Sequence, residues 1–312
     1  MVQDQGRFGL QYAGINPSGA MDRFAAALAN AVLGKDLSCP VLEMHFPAST
    51  ILFLQPAVIA ITGADFTAMV DDVIIPMNHP VVVNKNSVLK FTKPEFGMRA
   101  CIAFLPSLKI KSWMNSFSTN IKAAVGGYKG RLLENNDVID FDNDSKSMEL
   151  FSREVDNASF SAQGFLYNSN TIHCLMGNEW NRLRPDSQDV FLKAWFEITN
   201  DSDRMGYLLA GQKLLTDNSN EMVSAPAKFG TIQLLPSGQL IILMADHQTT
   251  GGYPRIAHII SADLPVLSQK QPGKMINFAI ADLADAEQRY LQQQHYLHQV
   301  RDAVLFKLNA MK

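Results

Sequence analysis

The sequence predicts a mainly β protein built from two strand-rich halves, and three observations predict it. Most of the chain is short β-branched or apolar runs cut by Gly, Pro and Asn. The tripeptide PSG at 236–238 sits between two apolar runs and reads as a hairpin turn. One phrase recurs: KNSVLKF (85–91), NNDVIDF (135–141) and PGKMINF (272–278) each lead from a polar turn into an alternating strand that ends in Phe. The recurrence suggests barrel-closing strands and a duplicated β architecture.

Taken in order, strands are expected within 51–65, 88–94, 100–106, 190–199, 230–246 and 256–263. Two stretches read as helices. SGAMDRFAAALANAVLG (18–34) is Ala- and Leu-rich, with Ser18 placed as N-cap, Asp22 in the first turns and Gly34 as the stop. Its apolar residues Phe24, Leu28, Val32 and Leu33 share one face. Over 282–308, Leu283, Tyr290, Leu297 and Val304 fall seven apart, which predicts one amphipathic helix. The segment 142–164 is polar and poorly periodic. The expected organisation is a β-barrel domain over 1–142, a polar linker over 143–163, a second barrel domain over 164–280, and a C-terminal amphipathic helix over 281–312.

Composition excludes several function classes. The 312 residues are 47% hydrophobic and 18% charged, as in a globular protein, with a net charge of -3. That charge argues against a nucleic-acid binder. Three scattered cysteines, Cys39, Cys101 and Cys174, with no CxxC pair, point to free thiols in a reducing compartment. No secretory leader is visible, and no apolar run approaches the roughly 20 residues that span a bilayer. The expected location is cytoplasmic.

Familiar chemistry is missing from the sequence. GGYKGR (126–131) lacks the Lys-Ser or Lys-Thr ending of a P-loop, no GxGxxG follows a strand, and neither HExxH nor GxSxG occurs. His295 and His298 lie three apart on the terminal helix, but no carboxylate or Cys completes a metal set. What remains is a group of polar bends that interrupt apolar strands. In QDQGRFG (3–9), Asp4 and Arg7 suit a stapled turn better than an Arg fork for an anion. In TGADF (62–66), Asp65 suits local backbone bonds, with a catalytic carboxylate as the lesser alternative. In NDSDRMGY (200–207), Asp203 is expected to pair with Arg204 or a neighbour. MADHQTTGGYP (244–254) is denser in donors and acceptors than a turn requires. Gly251 and Gly252 let a ligand approach the backbone there, so this bend is favoured as a site.

These clusters, in order, resemble the family called allophanate hydrolase subunit 2, or biotin-dependent carboxyltransferase-like. The matching elements are QDQGRFG, PSGAMD (17–22), the helix end from Asn30 to Gly34, Leu42-Glu43, TGAD, FST with GGYKGRLL (117–133), SDRMGY (202–207), GTIQLLPSGQ (230–239), ADHQTTGGYP (245–254) and ADLPVLSQKQPG (262–273). The chain departs from the family at Leu208, where Arg is usual, and at Asn115, where Gly is usual. It also starts almost at QDQGR, where the family has a longer preceding strand.

The resemblance implies two cyclophilin-like β-barrel domains. It also implies a choice among the C-type subunit of 5-oxoprolinase, a carboxyltransferase component working with a biotin carboxylase and carrier as in urea carboxylase, and a non-catalytic Kip-type regulator. No biotinyl-lysine turn is present, so no covalent biotin is expected on this chain. A free-standing chain of this length is most similar to the C-type 5-oxoprolinase subunit. That implies ATP-dependent opening of 5-oxo-L-proline to L-glutamate with B-type and A-type 5-oxoprolinase partners. ATP, with Mg, would be bound by or shared with a partner. Expected catalytic residues are Asp246 or Asp65 as base, with Gln248, Thr249 and Thr250 as donors. Expected substrate contacts are Arg7, Arg204, Gln233, Gly251, Gly252 and Tyr253. Asp4, Ser18, Asp22, Glu43 and Asp203 are expected to be structural.

Overall fold

The structure, a computed structural model, describes residues 1–142, 151, 161–165, 167–217 and 222–310. The expected linker over 143–163 falls mostly outside the described residues. The chain divides into two compact units: Met1–Arg7 with Asp22–Phe165 and Gln293–Lys312, and Phe8–Met21 with Leu166–Gln292.

The first unit holds two antiparallel sheets. Strands β1 (Val2–Gln3), β2 (Val41–Met44), β4 (Ala57–Asp65), β7 (Pro80–Val83) and β9 (Phe96–Leu105) form one, in the order β1-β2-β9-β4-β7. Strands β3 (Ile51–Leu52), β5 (Ala68–Val70), β6 (Val73–Ile74) and β8 (Val88–Phe91) form the other, in the order β3-β8-β5-β6. Ile59, Ile61, Ile102 and Phe104 alternate onto one face of the larger sheet and pack with Phe53, Phe66 and Leu89.

Helix α1 (Arg23–Val32) packs on β4 and β9, and every residue in it but Arg23 is buried. Its alanines allow close approach, close enough for the Thr62 hydroxyl of β4 to donate to the Ala25 carbonyl at 2.6 Å. The helix begins later than expected. Asp22, not Ser18, is the N-cap and accepts from Ala25 N at 2.8 Å. Ser18 (φ 54°) and Gly19 (φ 98°) adopt left-handed backbone, which cannot enter a right-handed helix. Gly34 (φ 63°) ends the helix as expected.

The second unit is a closed seven-stranded barrel. It consists of β10 (Thr171–Met176), β11 (Phe196–Ile198), β12 (Gly206–Ala210), β14 (Thr231–Leu234), β15 (Leu240–Leu243), β17 (Arg255–Ile259) and β18 (Met275–Ile280), in the order β10-β17-β14-β15-β12-β11-β18. A short ribbon of β13 (Ala225–Pro226) and β16 (Thr250–Gly251) accompanies it. Ile172, Cys174, Tyr207, Leu209, Ile232, Leu234, Ile242 and Phe278 are buried at alternate positions and fill the interior. The β14–β15 turn at 236–238 is the hairpin that the PSG tripeptide predicts, closed by Leu235 N to Gln239 O at 2.9 Å.

Two strand expectations are overturned. The first half of 190–199 is helical, because α2 (Pro185–Lys193) starts with Pro185 in its first turn and carries an Asp189–Lys193 pair at i,i+4. Its Phe191 stacks on Phe278 of β18 at 4.7 Å. NNDVIDF forms only an isolated bridge, Leu108 to Phe141. Its Asp137 instead takes both guanidinium nitrogens of Arg131 at 2.7 and 2.8 Å and caps Glu134 N. The recurring phrase therefore marks a true barrel-closing strand only at β18.

Helix α3 (Leu264–Ser268) follows β17, and α4 (Leu283–Asn309) ends the described chain. On α4, Leu297 and Val304 are buried, but Leu283 and Tyr290 are exposed. A strict seven-residue spacing drifts about 20° per repeat around a straight helix, so the buried direction moves steadily away from this series along the helix. Ala286 takes the inward place near the helix start, against Ile260 and Ala262. Among the described residues no helix is long and apolar enough to cross a membrane.

Candidate functional site

The second unit gathers most of the sequence-predicted site residues around Asp246. The apolar strand β15 runs into buried Met244 and Ala245, and Asp246 then turns back across the SDRMGY bend. Its amide donates to the Arg204 carbonyl at 2.7 Å. Its carboxylate takes Arg204 Nε at 2.8 Å and Arg204 Nη2 at 3.3 Å, and accepts from the Ser18 hydroxyl at 2.5 Å. Arg204 Nη2 also donates to the Gly19 carbonyl at 2.6 Å, and Asn16 donates to the Asp246 carbonyl at 3.0 Å. Asp203 does not pair with Arg204. It folds its own bend, accepting from Met205 N and Gly206 N. Three motifs distant in sequence thus meet at one buried ion pair: Asn16 to Gly19, Asp203 with Arg204, and Asp246.

Beyond that lock the chain comes to the surface. Gln248 and Thr250 are exposed, Thr249 and Gly251 are half-buried, and Gly252 and Tyr253 are exposed. Thr250 and Gly251 form β16, and Thr249 O accepts from Ala227 N. Buried His247 fixes the bend from within, its Nδ1 bonded to the Gln248 carbonyl at 2.6 Å. Gln233 of β14 lies beneath Gly251. A Cβ added at Gly251 would fall 2.7 Å from Gln233 Nε2. Across β14–β17, Arg255 is held by Glu179 through paired contacts of 2.8 and 2.9 Å and donates to the Pro226 carbonyl at 2.9 Å. That guanidinium holds the Glu179 carboxyl below its ordinary range.

The other predicted residues belong to the first unit. Asp4 is buried and accepts from Gly6 N at 2.7 Å, Ser116 Oγ at 2.8 Å, Phe117 N at 2.5 Å and the Ser118 hydroxyl. Arg7 donates to the Ser118 carbonyl and lies over the Trp113 ring at 4.9 Å. GGYKGR packs against this bend: a Cβ at Gly126 would fall 2.2 Å from the Ser118 carbonyl, and one at Gly127 1.8 Å from Thr119 Oγ1. Both glycines are left-handed, with φ of 69° and 53°. QDQGRFG, FST and GGYKGR are therefore one knot of backbone and buried polar groups. Asp65 caps its own bend through Thr67 N at 2.8 Å, and Glu43 is buried in β2.

Sequence reasoning missed several partners. Asn16 adjoins the PSG motif and could have been read with it. Ser116 and Ser118 flank the FST motif. Glu179, Thr231, His258 and the His173–Asp263–Arg289 cluster, at 2.8 and 2.6 Å, carry no local signature because segments distant in sequence bring them together. Among the described residues no group of three or more His, Cys, Asp or Glu is arranged to hold a metal ion.

Comparison with known proteins bears on this arrangement. A family model described as carboxyltransferase domain, subdomain A and B, matches residues 13–280. The C-type subunit of 5-oxoprolinase from Haemophilus influenzae is 34% identical over 303 residues, covering 97% of this chain and 95% of that one. That of Escherichia coli is 35% identical, with 96% and 94% covered. A urea amidolyase of Saccharomyces cerevisiae is 28% identical over 89% of this chain but only 16% of its own length. The crystal structure of the K. lactis urea amidolyase superposes with a TM-score of 0.85 at 25% identity, covering 96% of this chain and 19% of that protein.

Proposed function

Because this chain belongs to the family of carboxyltransferase domains with subdomains A and B, we propose that it is the C-type subunit of an ATP-dependent 5-oxoprolinase. That enzyme opens 5-oxo-L-proline to L-glutamate together with A-type and B-type partners. One observation carries the reading. The chain and the H. influenzae C-type protein match over 97% and 95% of their lengths, whereas the match to the yeast urea amidolyase takes in 16% of that enzyme.

The site residues support a role in polarising and holding an amide. A lactam opens through negative charge on its carbonyl oxygen, which fixed donors stabilise only if they are already in place. The Ser18–Asp246–Arg204 lock fixes the base of the 248–253 bend and leaves Gln248, Thr250 and the Gly251–Gly252 backbone at the surface. In this reading Asp246 positions the bend rather than taking a proton, because both its oxygens are already engaged. Asp65 is occupied with its own turn.

The residues that the sequence put forward do not fit a triphosphate. The Arg204 charge is matched by Asp246 within a buried pair, and Arg7 is buried against Trp113 and Ser118. The glycines of 126–130 face carbonyl oxygens and a hydroxyl rather than an open cradle. ATP is accordingly assigned to a partner protein.

The test is reconstitution with the A-type and B-type proteins. ATP-dependent glutamate release from 5-oxoproline is the expected result. Gln248→Ala with Thr250→Ala should lower it by roughly 10²-fold at an unchanged melting temperature, since both side chains are exposed. Absence of turnover with all three proteins present overturns the reading. A second reading, carboxyl transfer from carboxybiotin, has the family model's description in its favour and would show as transfer to an amide acceptor once carboxybiotin is added to the same mixture. Tight partner binding with neither reaction would indicate a regulator.

A further inference from the structure

On the outer face of the barrel, Thr231 pairs with His258 and Gln233 with Arg255, across a bulge between Ile232 and Gln233. Residues two apart on a strand, and residues directly opposite, share a face. Ile232 and Leu234 point into the core between them.

Thr231 is fully buried, and its hydroxyl oxygen accepts from Lys228 N at 3.1 Å. The same hydroxyl lies 3.1 Å from His258 Nδ1. A buried hydroxyl proton without an acceptor is costly, so the Thr231 O–H donates to Nδ1. His258 therefore carries its proton on Nε2 and presents a donor. Burial first, then the charges of Lys228 and Arg255, lower its pKa to about 4, which keeps the ring neutral. Gln233 is 4% exposed, and its Nε2 has no hydrogen-bond partner. A buried amide left in that state in a folded protein calls for an explanation. Gly251 lies over it so closely that an added Cβ would fall 2.7 Å from Nε2.

We propose that His258 Nε2–H and Gln233 Nε2–H form a pair of neutral donors that receives the carbonyl oxygen of an amide ligand once the Gly251 bend over Gln233 shifts aside. The proposal rests on the function given above for its substrate, the ring carbonyl of 5-oxoproline. Two uncharged N–H groups suit a carbonyl oxygen that gains charge during reaction better than a standing carboxylate. The neighbouring guanidinium on this face, Arg255, is already neutralised by Glu179.

Two measurements test it. In the reconstituted complex, Gln233→Leu should lower kcat/KM by about 10²-fold, the usual loss for one such donor. Its melting temperature should stay equal or rise, because the substitution removes an unsatisfied buried amide. His258→Asn, whose Oδ1 stands near the Nδ1 position and keeps an acceptor for Thr231 while removing the Nε2 donor, should lower kcat/KM as well. Gly251→Ala, which crowds Nε2, is the check if Gln233→Leu fails to fold. On the full chain alone, side-chain amide NMR should show the Gln233 and His258 N–H signals moving with 5-oxoproline and with 2-pyrrolidinone, but not with proline, which has no lactam carbonyl. Wild-type turnover in the Gln233 and His258 variants, or lactams that leave both signals unmoved, overturns the donor pair. If the wild-type complex does not open 5-oxoproline but 2-pyrrolidinone still moves both signals, the functional reading fails and the donor pair stands.

Discussion

His258 shows how one hydrogen bond sets the chemistry of a side chain several bonds away. Thr231 fixes which ring nitrogen holds the proton, and burial keeps a second proton off. The sign of the pH effect follows. The folded pKa of about 4 lies below the ordinary 6.5. Between those values the unfolded chain binds a proton that the folded chain refuses, so stability falls as pH drops through that window. Above pH 6.5 the group has no effect. Urea unfolding at neutral pH and at a pH between those two values should show wild type losing more stability than His258→Gln. Equal losses would mean that the ring is not held neutral. Side-chain chemistry of this kind was only partly legible. Asp246 stood out because polar density in a bend is visible along the chain. Its partners Ser18 and Arg204 were noticed too, but as a helix cap and as a substrate contact, because which groups meet is decided by the return of distant segments.

At the level of elements, burial and not propensity decides which apolar residues matter. Leu297 is 2% exposed and Leu283 is 69% exposed, although both belong to the same seven-residue series on α4. Leu297→Ala should cost about 2–5 kcal/mol by opening a cavity. Leu283→Ala should stay within roughly 0.5 kcal/mol. Chemical denaturation of the two variants checks this, and equal costs would mean the helix packs on another face. Long elements were legible for the reason that they repeat a period many times. The α4 span, the β4 and β9 runs and the 236–238 hairpin all follow from sequence. Short pieces were not. The ribbon strands β13 and β16 are two residues each and have no period to read, and VFLK in α2 is as apolar as a strand until Pro185 upstream is taken as a helix start.

For the whole molecule, the cysteines provide a reporter for each unit. Cys101 lies fully buried in β9 of the first unit and Cys174 in β10 of the second. Burial pushes the Cys174 thiol up to about 12 and raises Cys101 well above its ordinary value. Cys39 is only half-buried. A thiol reagent at neutral pH should label Cys39 first. Labelling of Cys101 and Cys174 with rising urea then reports the opening of each unit separately. Early reaction of either under native conditions would contradict the packing. The mainly β character was readable from composition and turns, but which strands share a sheet was not, since pairing order leaves little trace in a single chain.

The barrel closes through parallel pairing of β10 with β18, where Thr171 meets Asn277 across 106 residues of chain. Synthesis at roughly 5–20 residues per second delivers that partner about 5–20 s after β10 has been made. For that interval the growing polypeptide carries a naked strand border, a template for wrong pairing until its mate arrives.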